Sequence, residues 1–204
     1  MAEADIREYL GSLFREAREA MNMKIQERIY ELRDEAPDYY RLMNKLGFPQ
    51  EESTLIDRYH NIGRIVFRHL GTILQDLTRE LLTRTVGGEK NVRLPNSQGG
   101  SPRTFIIDWL HGRRAYQIKW RYATTDGTTV NKEIAFARQL QASNYTPVFL
   151  VYYRSLRPQP LACFERIAQA FISCGGEVYS ESTAWEHITS LTGFDLQQFL
   201  EEVT

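Results

Sequence analysis

Two charged residues stand in stretches that otherwise look built for burial. Asp108 ends the run Phe105-Ile106-Ile107, and Lys119 lies between Ile118 and Trp120. A charge in such surroundings costs free energy unless it is paired or binds something. The segments TFIIDW and AYQIKWRY read as two strands joined by an LHGRR turn. Hairpin pairing would bring Asp108 within reach of Gln117 and Lys119, whose side chains share a face because alternate strand residues point the same way. A carboxylate so placed can hold a hard divalent cation such as Mg²⁺. A lysine beside it can orient or activate a water and stabilise charge developing on a phosphorane. Glu133 follows fourteen residues after Lys119, near the start of the next helix, which could aim it at the same cation.

The elements that must hold these residues follow from pattern. From Ala2 to about Gly87 the signal is helical, with Ile6, Leu10, Leu13, Phe14 and Ala17 at helical spacing. Pro37 interrupts it. A second helical stretch carries Leu55, Ile56, Tyr59, Ile62, Ile65 and Val66 on one side, with Ser53 as N-cap and Gly87-Gly88 as stop. Gly63 and Gly71 weaken that helix or admit a close neighbour. EKNVRLPNSQGGSPR reads as loop. After the hairpin come a TTDGTT loop and a helix over VNKEIAFARQLQAS, with Ile134, Ala137 and Leu140 inward. TPVFLVYY suits a strand buried on both faces. A helix over PLACFERIAQAFISCGG, a short strand EVYS and a closing helical region complete the chain. This order predicts an α/β fold with a mixed sheet, an antiparallel pair first and crossover strands after it.

Composition narrows the class. With 42% hydrophobic and 25% charged residues the chain can bury a core, which excludes a disordered protein. Net charge is −1, so any nucleic-acid contact must rest on a local positive field. Cys163 and Cys174 lack metal-ligand spacing and read as buried free thiols of a reducing compartment. No stretch reads as a secretory signal or a membrane span, so a cytoplasmic location is expected. The four histidines form no metal pattern.

Asp108, then Gln117-Ile118-Lys119 on the next strand, then a helix and a buried strand, resemble the PD-(D/E)XK nuclease core. The wider string AYQIKWRYATTDGTTVNKE is similar to the corresponding region of ApaLI-type restriction endonucleases. The similarity is strongest over Phe105–Glu133, and the element order extends it to about Tyr179. It implies one domain over 1–204, with a catalytic core at 89–204. The N-terminal helical region, 1–88, would serve packing, dimerisation or DNA contact. It also implies a type II restriction endonuclease: Mg²⁺-dependent hydrolysis of both strands of a short site, usually by a homodimer, with a methyltransferase protecting the host DNA. Asp108 and Glu133 would be carboxylate ligands, the Ile118 carbonyl a backbone ligand, Gln117 an auxiliary ligand and Lys119 the water-orienting residue. Two positions depart from the pattern. Ile107 replaces a variable proline, and Gln117 brings an amide where the pattern has an acid. A helical acid, Glu80 or Asp76, could complete the site. A repair nuclease of the same fold and a non-catalytic DNA-binding protein on a decayed fold are the alternatives.

Arg113, Arg114, Lys119, Arg121 and Lys132 cluster in sequence around the proposed site, with Lys90, Arg93 and Arg103 just upstream. Such residues neutralise phosphates and position a duplex without reading sequence. Base reading needs polar side chains in a groove, for which Asn96, Gln98, Arg103, Thr124, Thr125 and Asp126 are candidates. Asp126 with Gly127 equally suits a plain turn.

Overall fold

The computed structural model describes residues 2–33, 37–97, 99 and 101–203. The chain separates into two compact units, one comprising Met1–Gly11 with Leu74–Thr204 and the other Ser12–Ile73.

The larger unit is built on a five-stranded mixed sheet in the order β1-β2-β3-β4-β5. The strands are β1 (Glu89–Pro95), β2 (Thr104–His111), β3 (Arg114–Tyr122), β4 (Thr146–Arg154) and β5 (Glu177–Ser180). β1–β2 and β2–β3 run antiparallel, and β3–β4 and β4–β5 run parallel. The mixed α/β sheet is thus the expected one. β1 is the exception, because EKNVRLP had read as loop. It is an edge strand with only Val92 and Leu94 half-buried, so its alternation is faint. Pro95 ends it, a place where a missing N–H is tolerated.

One face of this sheet carries α4 (Gly127–Ala142) and α5 (Pro158–Ser173). Val130, Phe136, Ala137 and Leu140 of α4 and Phe164, Ile167 and Phe171 of α5 pack there on Phe105, Ile107, Phe149 and Val151. Ile134 is only half-buried, one position off the stripe. Cys163 and Cys174 are buried free thiols, as expected. The other face meets α6 (Ser182–Thr192) and the last turns of α3 (Gln50–Thr85), whose Leu74, Leu77, Leu81 and Leu82 are buried. Thr78 of that segment shares a 2.7 Å hydrogen bond with the buried Tyr152 of β4. β4 is therefore covered on both sides, which explains its unbroken apolar run. α7 (Leu196–Glu202) closes the unit.

The smaller unit contains the rest of α1 (Glu3–Glu31), a 3₁₀ turn at Pro37–Tyr40, α2 (Arg41–Lys45) and the first part of α3. α3 begins at Gln50, earlier than the Ser53 cap had implied. Ser53 lies inside the helix, fully buried, and donates to Asn44 Oδ1 at 3.2 Å. Leu55, Ile56 and Tyr59 are exposed, while Ile62, Ile65 and Val66 are half-buried. Helical spacing marks an apolar face but does not supply a surface to cover it. Gly63 has open space where a Cβ would stand, so no close neighbour requires it.

Candidate functional site

The site begins with a failure of sheet pairing. β2 and β3 pair only at Trp109–Tyr116, Leu110–Ala115 and His111–Arg114. Beyond this point β2 continues on β1, and β3 continues on β4. The hairpin opens as a fork. Strand alternation turns both the N–H and the C=O of Ile118 into the gap. Two side chains take the place of the missing strand. The Ile118 N–H donates to Asp108 Oδ2 at 2.7 Å. The Ile118 carbonyl accepts from Gln75 Nε2 of α3 at 3.1 Å.

The fork leads into a cavity of ≈ 220 Å³, lined by Gln75, Asp108, Gln117, Lys119, Lys132 and Glu133, with Thr104, Phe105, Ile106 and Phe136. Asp108, Gln117 and Glu133 are each buried. Glu133 occupies the core stripe of α4 between Val130 and Phe136, which explains how a helix residue reaches the sheet. Its Oε1 lies 3.1 Å from Lys119 Nζ. Burial pushes the Asp108 carboxyl above its usual range, outweighing the Ile118 N–H, the charges of Lys119 and Arg79, and a hydrogen bond from Gln75. Arg79 is nearly buried, 3.6 Å from Asp108 Oδ1, and it also bonds Asn91 Oδ1 at 2.7 Å. Asn91 has φ +58°, a left-handed conformation that asparagine tolerates better than most residues.

The four residues Asp108, Gln117, Lys119 and Glu133 thus line one cavity. The helical acid does not. Glu80 pairs with Lys90 and accepts from Tyr9 at 3.1 Å. Burial works against its charge, but Lys90, Tyr9 and Arg84 together hold it below the usual carboxylate range. Asp76 pairs with Arg79 on the helix surface. The group that α3 contributes to the cavity is Gln75, which carried no sequence signal, since a neutral glutamine on a helix is ordinary. Arg79 was equally silent, one more arginine on a charged helix.

The basic residues divide. Lys132 lines the cavity, and Arg103 and Arg121 are exposed near its rim elements. Arg113 donates through Nε to the Asn144 carbonyl at 2.9 Å. Arg114 is half-buried and pairs with Glu177 at 2.5 Å, which ties β3 to β5. Asp126 is the N-cap of α4, accepting from the N–H groups of Thr128 and Thr129. Thr124 Oγ1 accepts from the Asp126 N–H at 3.1 Å, and Thr125 is exposed. The turn role of Asp126 is the one its contacts support. Lys90 holds Glu80, and Asn96 bonds the Gly99 and Pro102 carbonyls within its own loop. Gln98 lies outside the described residues.

A family model for ApaLI-like restriction endonucleases matches residues 1–204, the whole chain. The chain belongs to the ApaLI-like restriction endonuclease family. Membership makes it a restriction endonuclease, with DNA as substrate, and extends the similarity first seen at Phe105–Glu133 to the N-terminal helices. Comparison with curated proteins gave no match. Among the described residues no helix is long and apolar enough to cross a membrane.

Restriction endonucleases generally use a divalent metal. Among the described residues no three His, Cys, Asp or Glu side chains converge on one point. The cavity offers the carboxylates of Asp108 and Glu133 and the amide oxygens of Gln75 and Gln117. An all-oxygen set suits a hard cation such as Mg²⁺ and not a thiolate- or imidazole-seeking metal. The residues fit a hard divalent ion.

Proposed function

We propose that this ApaLI-like enzyme is a type II restriction endonuclease on a PD-(D/E)XK core, which hydrolyses both strands of a short DNA site with Mg²⁺ and water. The observation that carries the reading is the convergence of Asp108, Gln117, Lys119 and Glu133 on one cavity, at the order and spacing of that motif. Asp108 and Glu133 would hold the cation, with the Ile118 carbonyl and the Gln117 amide oxygen beside them. When bound, the cation supplies Lewis-acid stabilisation of charge on the scissile phosphate and lowers the pKa of water. Lys119, kept in place by Glu133, positions the attacking water and offsets charge on the pentavalent phosphorus. The bond to the 3′-oxygen breaks, leaving a 5′-phosphate.

Lys132, Arg103, Arg121 and Arg113 would contact backbone phosphates, and Thr124 and Thr125 belong to a loop able to approach a groove. Arg114 and Asp126 have partners of their own, Glu177 and the first turn of α4. A two-fold DNA site would be matched by a homodimer, and host DNA would be protected by a methyltransferase of the same specificity.

Gln117 favours one competitor. An amide in place of an acid leaves two carboxylates, as a decayed, non-catalytic DNA-binding protein would have. Incubating purified protein with unmethylated phage DNA in Mg²⁺ or in EDTA separates the readings. Discrete Mg²⁺-dependent fragments, lost in Asp108→Ala and Lys119→Ala, are expected. Binding without cutting on many DNAs would favour the decayed protein. Cutting directed to forks or flaps would indicate a repair nuclease.

A further inference from the structure

The open end of the β2–β3 fork is held by one residue that the motif does not contain. Gln75 donates to the Ile118 carbonyl at 3.1 Å and shares the cavity lining with Asp108. These are a proposed backbone ligand and a proposed carboxylate ligand of the same cation. Both acceptors are buried, and Ile118 has no strand partner there. A buried carbonyl without a partner is costly, so something must fill the role. An amide N–H carries partial positive charge and satisfies a carbonyl or carboxylate much as a cation would, at far lower strength.

We infer that Gln75 is a placeholder for the cation: its side-chain amide holds the Ile118 carbonyl beside Asp108 when no divalent ion is bound, and it must release that carbonyl when one binds. The inference rests on the cation-site reading above. Its physical basis is competition. One lone-pair direction cannot serve both an N–H and a metal, and an N–H pointed at a bound cation is repelled by it. The neutral side chain keeps the fork closed without a permanent charge. A glutamate at this position would instead place a third carboxylate beside Asp108 and Glu133, with mutual repulsion in the empty site. The proposed arrangement keeps the apo protein well formed at the expense of cation affinity.

The test is calorimetric titration of the full-length protein with Mg²⁺ in the absence of DNA, comparing wild type, Gln75→Met and Gln75→Glu. Methionine keeps the length and removes both donors. Gln75→Met is expected to bind Mg²⁺ about three- to tenfold more tightly, the equivalent of one ordinary hydrogen bond no longer broken. Gln75→Glu is expected to bind more tightly still. Weaker binding by Gln75→Met would overturn the inference and make the amide oxygen a ligand. Unchanged affinity would overturn it as well. Should Gln75→Met not fold, wild type alone decides by nuclear magnetic resonance. The Gln75 side-chain N–H protons should be protected from exchange without Mg²⁺ and lose protection with it, and protection that persists refutes the release. If wild type and Gln75→Glu both fail to bind Mg²⁺, the cation-site reading falls and takes this inference with it. That result differs from binding that ignores Gln75, which sinks the placeholder alone.

Discussion

Replacing Lys119 by methionine should harm the empty protein more than replacing Glu133 by glutamine, although both break the same ion pair. The two groups are 3.1 Å apart, but their side chains are 31% and 8% exposed, respectively. Breaking a buried pair by removing one partner costs about 3–5 kcal/mol, while an exposed pair is worth about 0–1 kcal/mol. Lys119→Met strands a carboxylate that has almost no access to water. Discounted for the partial exposure of Lys119, the expected cost is about 1–3 kcal/mol. Glu133→Gln strands an ammonium on a flexible stem that can reach solvent, so its expected cost is below about 1 kcal/mol. Urea titration followed by tryptophan fluorescence measures this cleanly, because Trp109, Trp120 and Trp185 all belong to the unit that holds the site. The titration is run in EDTA and again in millimolar Mg²⁺. In EDTA the order of loss is Lys119→Met over Glu133→Gln. With Mg²⁺ the deficit of Lys119→Met should shrink, because the cation supplies the positive charge that the lysine no longer does. Equal costs in EDTA would refute the argument from burial. A deficit untouched by Mg²⁺ would refute Glu133 as a cation ligand.

Two further outcomes follow from other parts of the same unit. His187 is held down to about 4 by burial and by the nearby charge of Arg114, against an ordinary value of 6.5. Its contribution to stability is therefore complete above pH 6.5 and is lost as pH falls toward about 4, where the folded form must accept a proton it resists. His187→Phe should show a smaller drop in Tm across that window in a pH series, although its Tyr116 hydroxyl loses a 3.0 Å partner. Gly88 precedes β1 at φ +88°, and a Cβ there would stand 2.5 Å from the Leu110 carbonyl oxygen. Gly88→Ala should cost about 2 kcal/mol or more by the same urea titration, and a loss under about 0.5 kcal/mol would contradict the clash.

Much of the candidate site is legible in the sequence. Asp108 and Lys119 stood out because charge is expensive in apolar strands, and hairpin spacing put Gln117 beside them. Glu133 was found by its distance from Lys119, and the apolar positions around it explain why it points inward. The nearly continuous apolar run of β4 correctly implied burial on both faces. β1 was missed because an exposed edge strand has little alternation to detect. The partners of the basic cluster were not legible, since nothing in HGRR reveals that Arg114 reaches Glu177 on β5, sixty-three residues away.

Period, charge and turn chemistry are local properties, so a single chain discloses its helices, most of its strands and the residues placed in unusual surroundings. The fork is not local. Its closure depends on Ile118 finding a donor in Gln75, forty-three residues earlier, and on Asp108 meeting Arg79. Whether Glu80, Asp76 or Gln75 enters the cavity depends on how the last turns of α3 are rotated over the sheet. That rotation is set by the packing of Leu74, Leu77 and Leu81 and the hydrogen bond shared by Thr78 and Tyr152. A helix of 3.6 residues per turn shows the same polar face in sequence whichever of its members is finally turned inward.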